Sequence, residues 1–292
     1  MAFSLCALRK LGYARGMRLR ASPIVPMSPY RRTLALPLLA ALGALVYGCA
    51  RGPDARHAPL LAAAPPGEDS LAPAAVPTDC PDGMVLVEGE YCPQVIQRCL
   101  RWMDPPGKYH EYRCAEYAKP AICRGKKEHR RFCIDRYERT ERGSDLPLNV
   151  QSWTDAKAAC EGVGARVCLE SEWNFACEGE EMRPYAYGWS RDAARCNADR
   201  MDLLVPGDES KITDHRTPAS AHPECLSAFG VQGMAGNVAE WVSVDGFSDG
   251  RLVVQKGNWW QPGKHACRDA QGGHDKHYKG TETGFRCCAD AR

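Results

Sequence analysis

Hydrophobic and polar positions alternate only in short stretches of this chain. Val85–Val87, Phe132–Ile134, Leu252–Gln255 and Gly284–Cys287 are brief β-prone runs bounded by glycine or charge, and each predicts a short strand. Helical periodicity is clear at two places. Ser152, with Asp155 three positions on, signals the start of a helix running to about Cys160, before Gly162 and Gly164 stop it. Ala156, Ala159 and Cys160 would share its inner face. A second helix is predicted over about Glu170–Cys177 and ends at Gly179. Glu170 suits its positive N-terminus, and Trp173, Ala176 and Cys177 point one way. Two cysteines on the inner faces of two helices are placed to bridge to the C-terminal strands. Ala198–Glu224 is punctuated by Pro, Gly and Asp and reads as loop.

The first 79 residues have a different character. No Asp or Glu precedes Asp54, whereas seven Lys/Arg lie between Arg9 and Arg32, ahead of the apolar run Leu34–Val46. That run is shorter than the roughly 20 residues needed to span a bilayer. A basic segment followed by a short apolar core predicts that residues 1–49 are a secretory signal peptide. Its end, Val46-Tyr47-Gly48-Cys49, resembles a bacterial lipobox, which makes Cys49 the candidate lipidated residue; cleavage nearby without lipidation is the alternative. Residues 50–79 are rich in Ala and Pro and read as an extended tether, too poor in bulky apolar groups to offset ordering entropy.

Residues 80–292 are predicted to form one domain. Nine of the 38 Lys/Arg and four of the 36 Asp/Glu fall in residues 1–79, which leaves 29 basic against 32 acidic and a slightly negative domain. That balance argues against nucleic-acid binding. The basic run Arg124–Arg131, between Cys123 and Cys133, reads as a solvated loop, with a docking patch for an acidic partner as the alternative. Fourteen of the sixteen cysteines lie in the domain and none is spaced CxxC, so a disulfide framework in an oxidising compartment fits better than a zinc or redox motif.

Four strings carry a resemblance: Arg166-Val167-Cys168-Leu169-Glu170-Ser171-Glu172-Trp173, Gly233-Met234-Ala235-Gly236-Asn237-Val238-Ala239-Glu240-Trp241, Lys256-Gly257-Asn258-Trp259-Trp260, and Gly284-Phe285-Arg286-Cys287-Cys288. In this order they resemble the formylglycine-generating enzyme (sulfatase-modifying factor) family, and Gly83–Gly89 and Phe132–Glu138 extend the likeness. The resemblance implies an α+β fold, the formylglycine-generating-enzyme variant of the C-type lectin fold, with little regular secondary structure and many disulfides. It also implies the pairs Cys160–Cys287 and Cys177–Cys267. Cys168, at the position of the Pro in the family's string, and Cys288, extra beside Cys287, form a further candidate pair.

Catalytic members bind Cu(I) through two cysteines five residues apart, a donor set suited to a soft ion. Here Pro262 stands at the first of those positions, and Cys267 matches the structural string better, so copper is disfavoured and no catalytic residue is assigned. The resemblance makes calcium a candidate cofactor, held by Gly236, Val238 and Glu240, with Asn197 and Ala198 as the start of a second site. His265, His274 and His277 are an alternative metal set against the simpler reading of a polar loop. Trp259 and Trp260 are candidates to line a ligand groove, one of them facing the core.

The preferred reading is a lipid-anchored, extracytoplasmic envelope protein. Its domain binds a protein, peptide or glycan at the cell surface and performs no family chemistry. A metal-dependent oxidoreductase that modifies proteins is the alternative, and a structural envelope component is a third. If Cys49 carries the lipid, Cys49→Ala moves the protein from the membrane fraction to the soluble one on cell fractionation; unchanged fractionation removes the anchor from the reading.

Overall fold

A computed structural model describes residues 79–246 and 250–292. The predicted signal peptide, Cys49 and nearly all of the tether lie outside the described residues. The chain opens with β1 (Met84–Tyr91), in which Val85, Val87 and Tyr91 are buried at every second position or multiples of it. Two small antiparallel pairs are nested next, from β2 (Val95–Ile96), β3 (Cys99–Trp102), β4 (Cys114–Tyr117) and β5 (Ile122–Cys123); β2 pairs with β5 and, inside it, β3 with β4. β6 (Glu128–Asp135) then returns antiparallel to β1 over its full length.

Helix α1 (Trp153–Glu161) begins at a capping box. Ser152 Oγ accepts the Asp155 N–H at 3.1 Å, and Asp155 Oδ2 accepts the Ser152 N–H at 3.0 Å. β7 (Arg166–Val167) leads into helix α2 (Glu170–Glu178). The start of α2 is fixed by Glu172, which accepts the Leu169 N–H at 2.9 Å while Arg166 grips its carboxylate at 2.6 and 2.7 Å. Gly179 ends it at φ +65°, a conformation that favours glycine. The hairpin β8 (Leu204–Val205) and β9 (Asp208–Ile212) precedes β10 (Ala239–Ser243), β11 (Val253–Lys256), β12 (Ala270–Gln271), β13 (Thr283–Gly284) and β14 (Cys287–Asp290).

Two four-stranded sheets result, ordered β1-β6-β14-β7 and β12-β11-β10-β13. Trp173, Phe175, Ala176 and Cys177 of α2 enter a core shared with Val87 and Ile134 of the first sheet and Val242 and Val254 of the second. α2 therefore joins both sheets to one core. Among the described residues all fourteen cysteines are paired. Cys160–Cys287, Cys168–Cys288 and Cys177–Cys267 tie α1, the entry to α2 and its exit to the C-terminal third, and Cys80–Cys133, Cys92–Cys123, Cys99–Cys114 and Cys196–Cys225 close smaller loops.

Several local expectations need correction. The run Gly284–Cys287 is not one strand: Gly284 ends β13 in one sheet and Cys287 begins β14 in the other, with Phe285 and Arg286 crossing between them. Ala159 faces solvent while Ala156 and Cys160 are buried, because a nine-residue helix on the surface has a narrow inner stripe. α2 is instead buried from Glu172 to Glu178, polar residues included. Glu128–Arg131 belongs to β6, where pairing with β1 outweighs the charge of the run, and part of Ala198–Glu224 forms the β8–β9 hairpin.

The bridge Cys168–Cys288 spans 120 residues, so it restricts the unfolded chain strongly. The double variant Cys168→Ala/Cys288→Ala should lose about 2–5 kcal/mol in urea unfolding. A loss below about 1 kcal/mol would show that the neighbouring Cys160–Cys287 bridge already supplies the same constraint.

Candidate functional site

Three of the four motif strings, those of Trp173, Glu240 and Arg286, converge on one buried ionic group. Arg286, 1 % exposed, donates from Nε and Nη2 to the two oxygens of Glu240 at 2.6 and 2.7 Å, and Glu240 also accepts Trp173 Nε1–H at 2.8 Å. The remaining guanidinium donors reach the carbonyls of Asp135 at 3.2 Å and Gln232 at 2.9 Å. Beside this pair lies Glu138, equally hidden, which accepts Asn237 Nδ2–H at 2.8 Å and the Val238 N–H at 3.3 Å. Burial, reinforced by the Glu240 charge, pushes the Glu138 carboxyl up to about 8.

Asn197, Ala198, Gly236 and Val238 are brought close together, but by hydrogen bonding. The Asn197 carbonyl accepts the Asn237 N–H at 2.8 Å, and a Cβ on Gly236, at φ +82°, would stand 2.1 Å from that oxygen and 3.1 Å from the Ala198 Cβ. The Asn197 side chain donates to the Asn237 side chain at 2.9 Å and to the His215 carbonyl at 2.6 Å. Of the expected calcium ligands, Glu240 has both carboxylate oxygens engaged by the Arg286 guanidinium.

Loop 257–267, where catalytic relatives would carry thiols, is knitted shut. Asn258 adopts φ +60°; its Nδ2 donates to the Lys264 carbonyl at 3.1 Å, and its Oδ1 accepts from the Trp259 N–H at 2.9 Å and Gln271 Nε2 at 2.6 Å. His265, 3 % exposed, sets its ring nitrogens against the carbonyls of Gly257 at 3.0 Å and Gln261 at 3.1 Å. Burial, and then the Arg191 charge, lower its pKa. Arg191 itself donates to the Gly263 carbonyl at 2.9 Å while paired with Asp199. Cys267 closes the loop onto α2 through Cys177.

The three-histidine metal set does not assemble. His265 is buried and committed to this loop, while His274 lies exposed and stacked on Tyr278 at 3.5 Å, and His277 is exposed. No group of three or more His, Cys, Asp or Glu able to hold a metal occurs among the described residues. Trp259 and Trp260 also line no groove. Both are buried, at 8 % and 0 %, with their rings packed edge to face 4.9 Å apart.

The open ground lies alongside the loop. A cleft of about 200 Å³ is bordered by Tyr112, Gln255, Asn258, Lys264, Asp269 and Gln271. Lys264 Nζ stands 5.3 Å from the Tyr112 ring centroid, and burial raises the Asp269 pKa against the pull of Lys264 and Lys256. Tyr112 also borders a more apolar cleft of about 470 Å³ with Tyr109, Met201 and Pro262. Tyr109 is 64 % exposed and Met201 81 %, so the second cleft is an accessible apolar rim to the first. Sequence reading missed both clefts. Gln255 stood at the end of a predicted strand and Pro262 marked a lost cysteine, but Tyr112, Lys264 and Asp269 carried no signal of their own.

Residues 107–291 match the sulfatase-modifying factor enzyme 1-like domain. The Mus musculus protein named inactive C-alpha-formylglycine-generating enzyme 2 is 28% identical over 159 residues, covering 50% of this chain and 50% of that protein. The Mus musculus formylglycine-generating enzyme is 25% identical over 169 residues, covering 50% of this chain and 45% of that protein. The chain thus spans about half the length of the curated relatives it matches. Among solved structures, PvdO from Pseudomonas aeruginosa aligns at a TM-score of 0.46 and 17% identity, over 75% of this chain and 99% of that one.

Glu138 holds its proton more tightly when folded than when unfolded, where a Glu titrates near 4.5. Its contribution is complete below about pH 4.5 and is lost as pH rises through about 8. Burial raises the carboxyls of Asp135, Glu178 and Asp269 in the same sense. The melting temperature should therefore fall between pH 5 and pH 8, and Glu138→Gln should reduce that fall by on the order of 3–4 kcal/mol, or about 6–16 °C. An unchanged slope in the variant would assign the titration to the other three carboxyls.

Proposed function

The chain belongs to the sulfatase-modifying factor enzyme 1-like family, with the α+β, disulfide-rich fold of formylglycine-generating-enzyme-like domains, and we propose that it is a binding module without that enzyme's chemistry. One observation carries the reading: Cys267, the cysteine of loop 257–267, is bonded to Cys177, and Pro262 stands at the first of the two positions where the resemblance expects a copper-binding cysteine. Cu(I) bound by soft ligands needs thiolates, and every cysteine among the described residues is consumed in a disulfide. Such a scaffold still offers what recognition requires, namely a rigid frame and an accessible cleft with an aromatic rim. That one relative is named inactive agrees with the reading.

On this proposal the ligand is a protein, peptide or glycan met outside the cytoplasm, and the domain is held at the membrane through Cys49 and the Ala/Pro-rich tether. The tyrosines and Met201 favour the peptide among these ligands, because peptide side chains supply the apolar surface that such a rim covers. The test is direct. A peptide bearing the sulfatase recognition cysteine, incubated with the full chain, copper, a reductant too mild to open buried disulfides and oxygen, should show no conversion of cysteine to formylglycine by mass spectrometry. Turnover above a copper-free control would return the oxidoreductase reading to first place.

A further inference from the structure

The small cleft contains three carboxamides. Gln271 Nε2 donates to Asn258 Oδ1 at 2.6 Å, and the rest of Asn258 is spent on its own loop. Gln255, directly opposite Gln271 in the β11–β12 register, is 1 % exposed, and neither its Nε2 nor its Oε1 finds a partner among the described residues. A buried amide unpaired at both ends costs free energy that a bound group able to satisfy both ends would recover. We infer that the cleft recognises the primary carboxamide of an Asn or Gln side chain in a peptide, paired edge to edge with Gln255. This deepens the binding-module reading and rests on it.

The inference follows from which groups complete both ends of Gln255 at once. A carboxylate would accept from Nε2 but set its second oxygen against Oε1, with Asp269 close by. An ammonium would satisfy Oε1 and leave Nε2 unpaired. A trans peptide group, including the acetamido group of a sugar, carries its N–H and C=O on opposite sides and cannot pair through both. A primary carboxamide presents donor and acceptor on one edge. The floor of the cleft is thus complementary to a neutral side chain, and the rim of Tyr109, Tyr112 and Met201 is placed to cover the residues that flank it. A lactam or nucleobase edge has the same donor–acceptor order, and the experiment separates it from the peptide.

The full chain is titrated with acetyl-Gly-Xaa-Gly-N-methylamide, Xaa being Gln, Asn, Glu or Leu, and with uracil, while the side-chain amide resonances of Gln255 are followed by ¹H–¹⁵N NMR. The Gln or Asn peptide should shift the Gln255 and Lys264 signals, with the Glu and Leu peptides at least about tenfold weaker. Gln255→Met, close in volume, should remove the preference while the remaining spectrum shows a folded domain; if that variant unfolds, the shift of Gln255 in the unaltered chain still decides. Equal binding of all four peptides at the cleft would overturn the carboxamide inference and leave the binding module standing. Tighter binding of uracil, or no shift of Gln255 at millimolar ligand, would overturn the inference as well. Formylglycine turnover, measured separately, is what would overturn the underlying reading.

Discussion

The pairing of Arg286 with Glu240 is the constraint on which the rest of the fold is arranged. Removing two charges from water costs several kcal/mol per ion, and the cost is offset only when every donor and lone pair has a partner. Here the guanidinium supplies the fork: two donors to one carboxylate, others to backbone carbonyls at the end of β6 and at Gln232. Trp173 of α2 completes the carboxylate. Arg286 also stands where the chain leaves the second sheet and enters the first. A lysine there would offer one point charge with no fork, and the two sheets would lose their common fixture. Burial and the Glu240 charge raise the pKa of Glu138, the second buried carboxyl, which favours its neutral form beside the pair.

The loop of residues 257–267 shows what replaces a metal centre as a source of order. Where two thiolates and an ion would cross-link the loop, the chain uses Asn258, His265 and Arg191, each reaching a carbonyl of the loop itself. These bonds fix the floor and side of the small cleft, and Pro262 borders the apolar one. The scaffold is therefore maintained at a position where Pro262 replaces the expected cysteine and Cys267 is held in a disulfide.

Much of the frame was legible in the sequence because local signals and long-range needs agree. Ser152 and Asp155 announced a capping box that the structure contains, and the Val85–Val87 alternation marked a strand whose register against β6 buries the same face. Glu128–Arg131 was misjudged because charge density says little about a strand whose partner lies some forty residues earlier. Glu240 was legible as part of a motif, but its pairing with Arg286, 46 residues away, was not. Gln255 was legible as a strand residue, but its lack of hydrogen bonds is a property of the assembled cleft. Trp259 and Trp260 were expected on opposite faces, whereas the turn at Asn258 breaks the strand before them and packs both indoles inward.

The three long bridges impose an order of events on biosynthesis. Cys160, Cys168 and Cys177 are made 127, 120 and 90 residues before Cys287, Cys288 and Cys267. At roughly 5–20 residues per second each waits about 5–25 s with no native partner in existence. During that interval the nearest available thiols are one another, eight or nine positions apart along the chain, so the kinetically easy cross-links are wrong ones. Helix α2, which joins both sheets to the core, is therefore bridged natively only once the last strand is available.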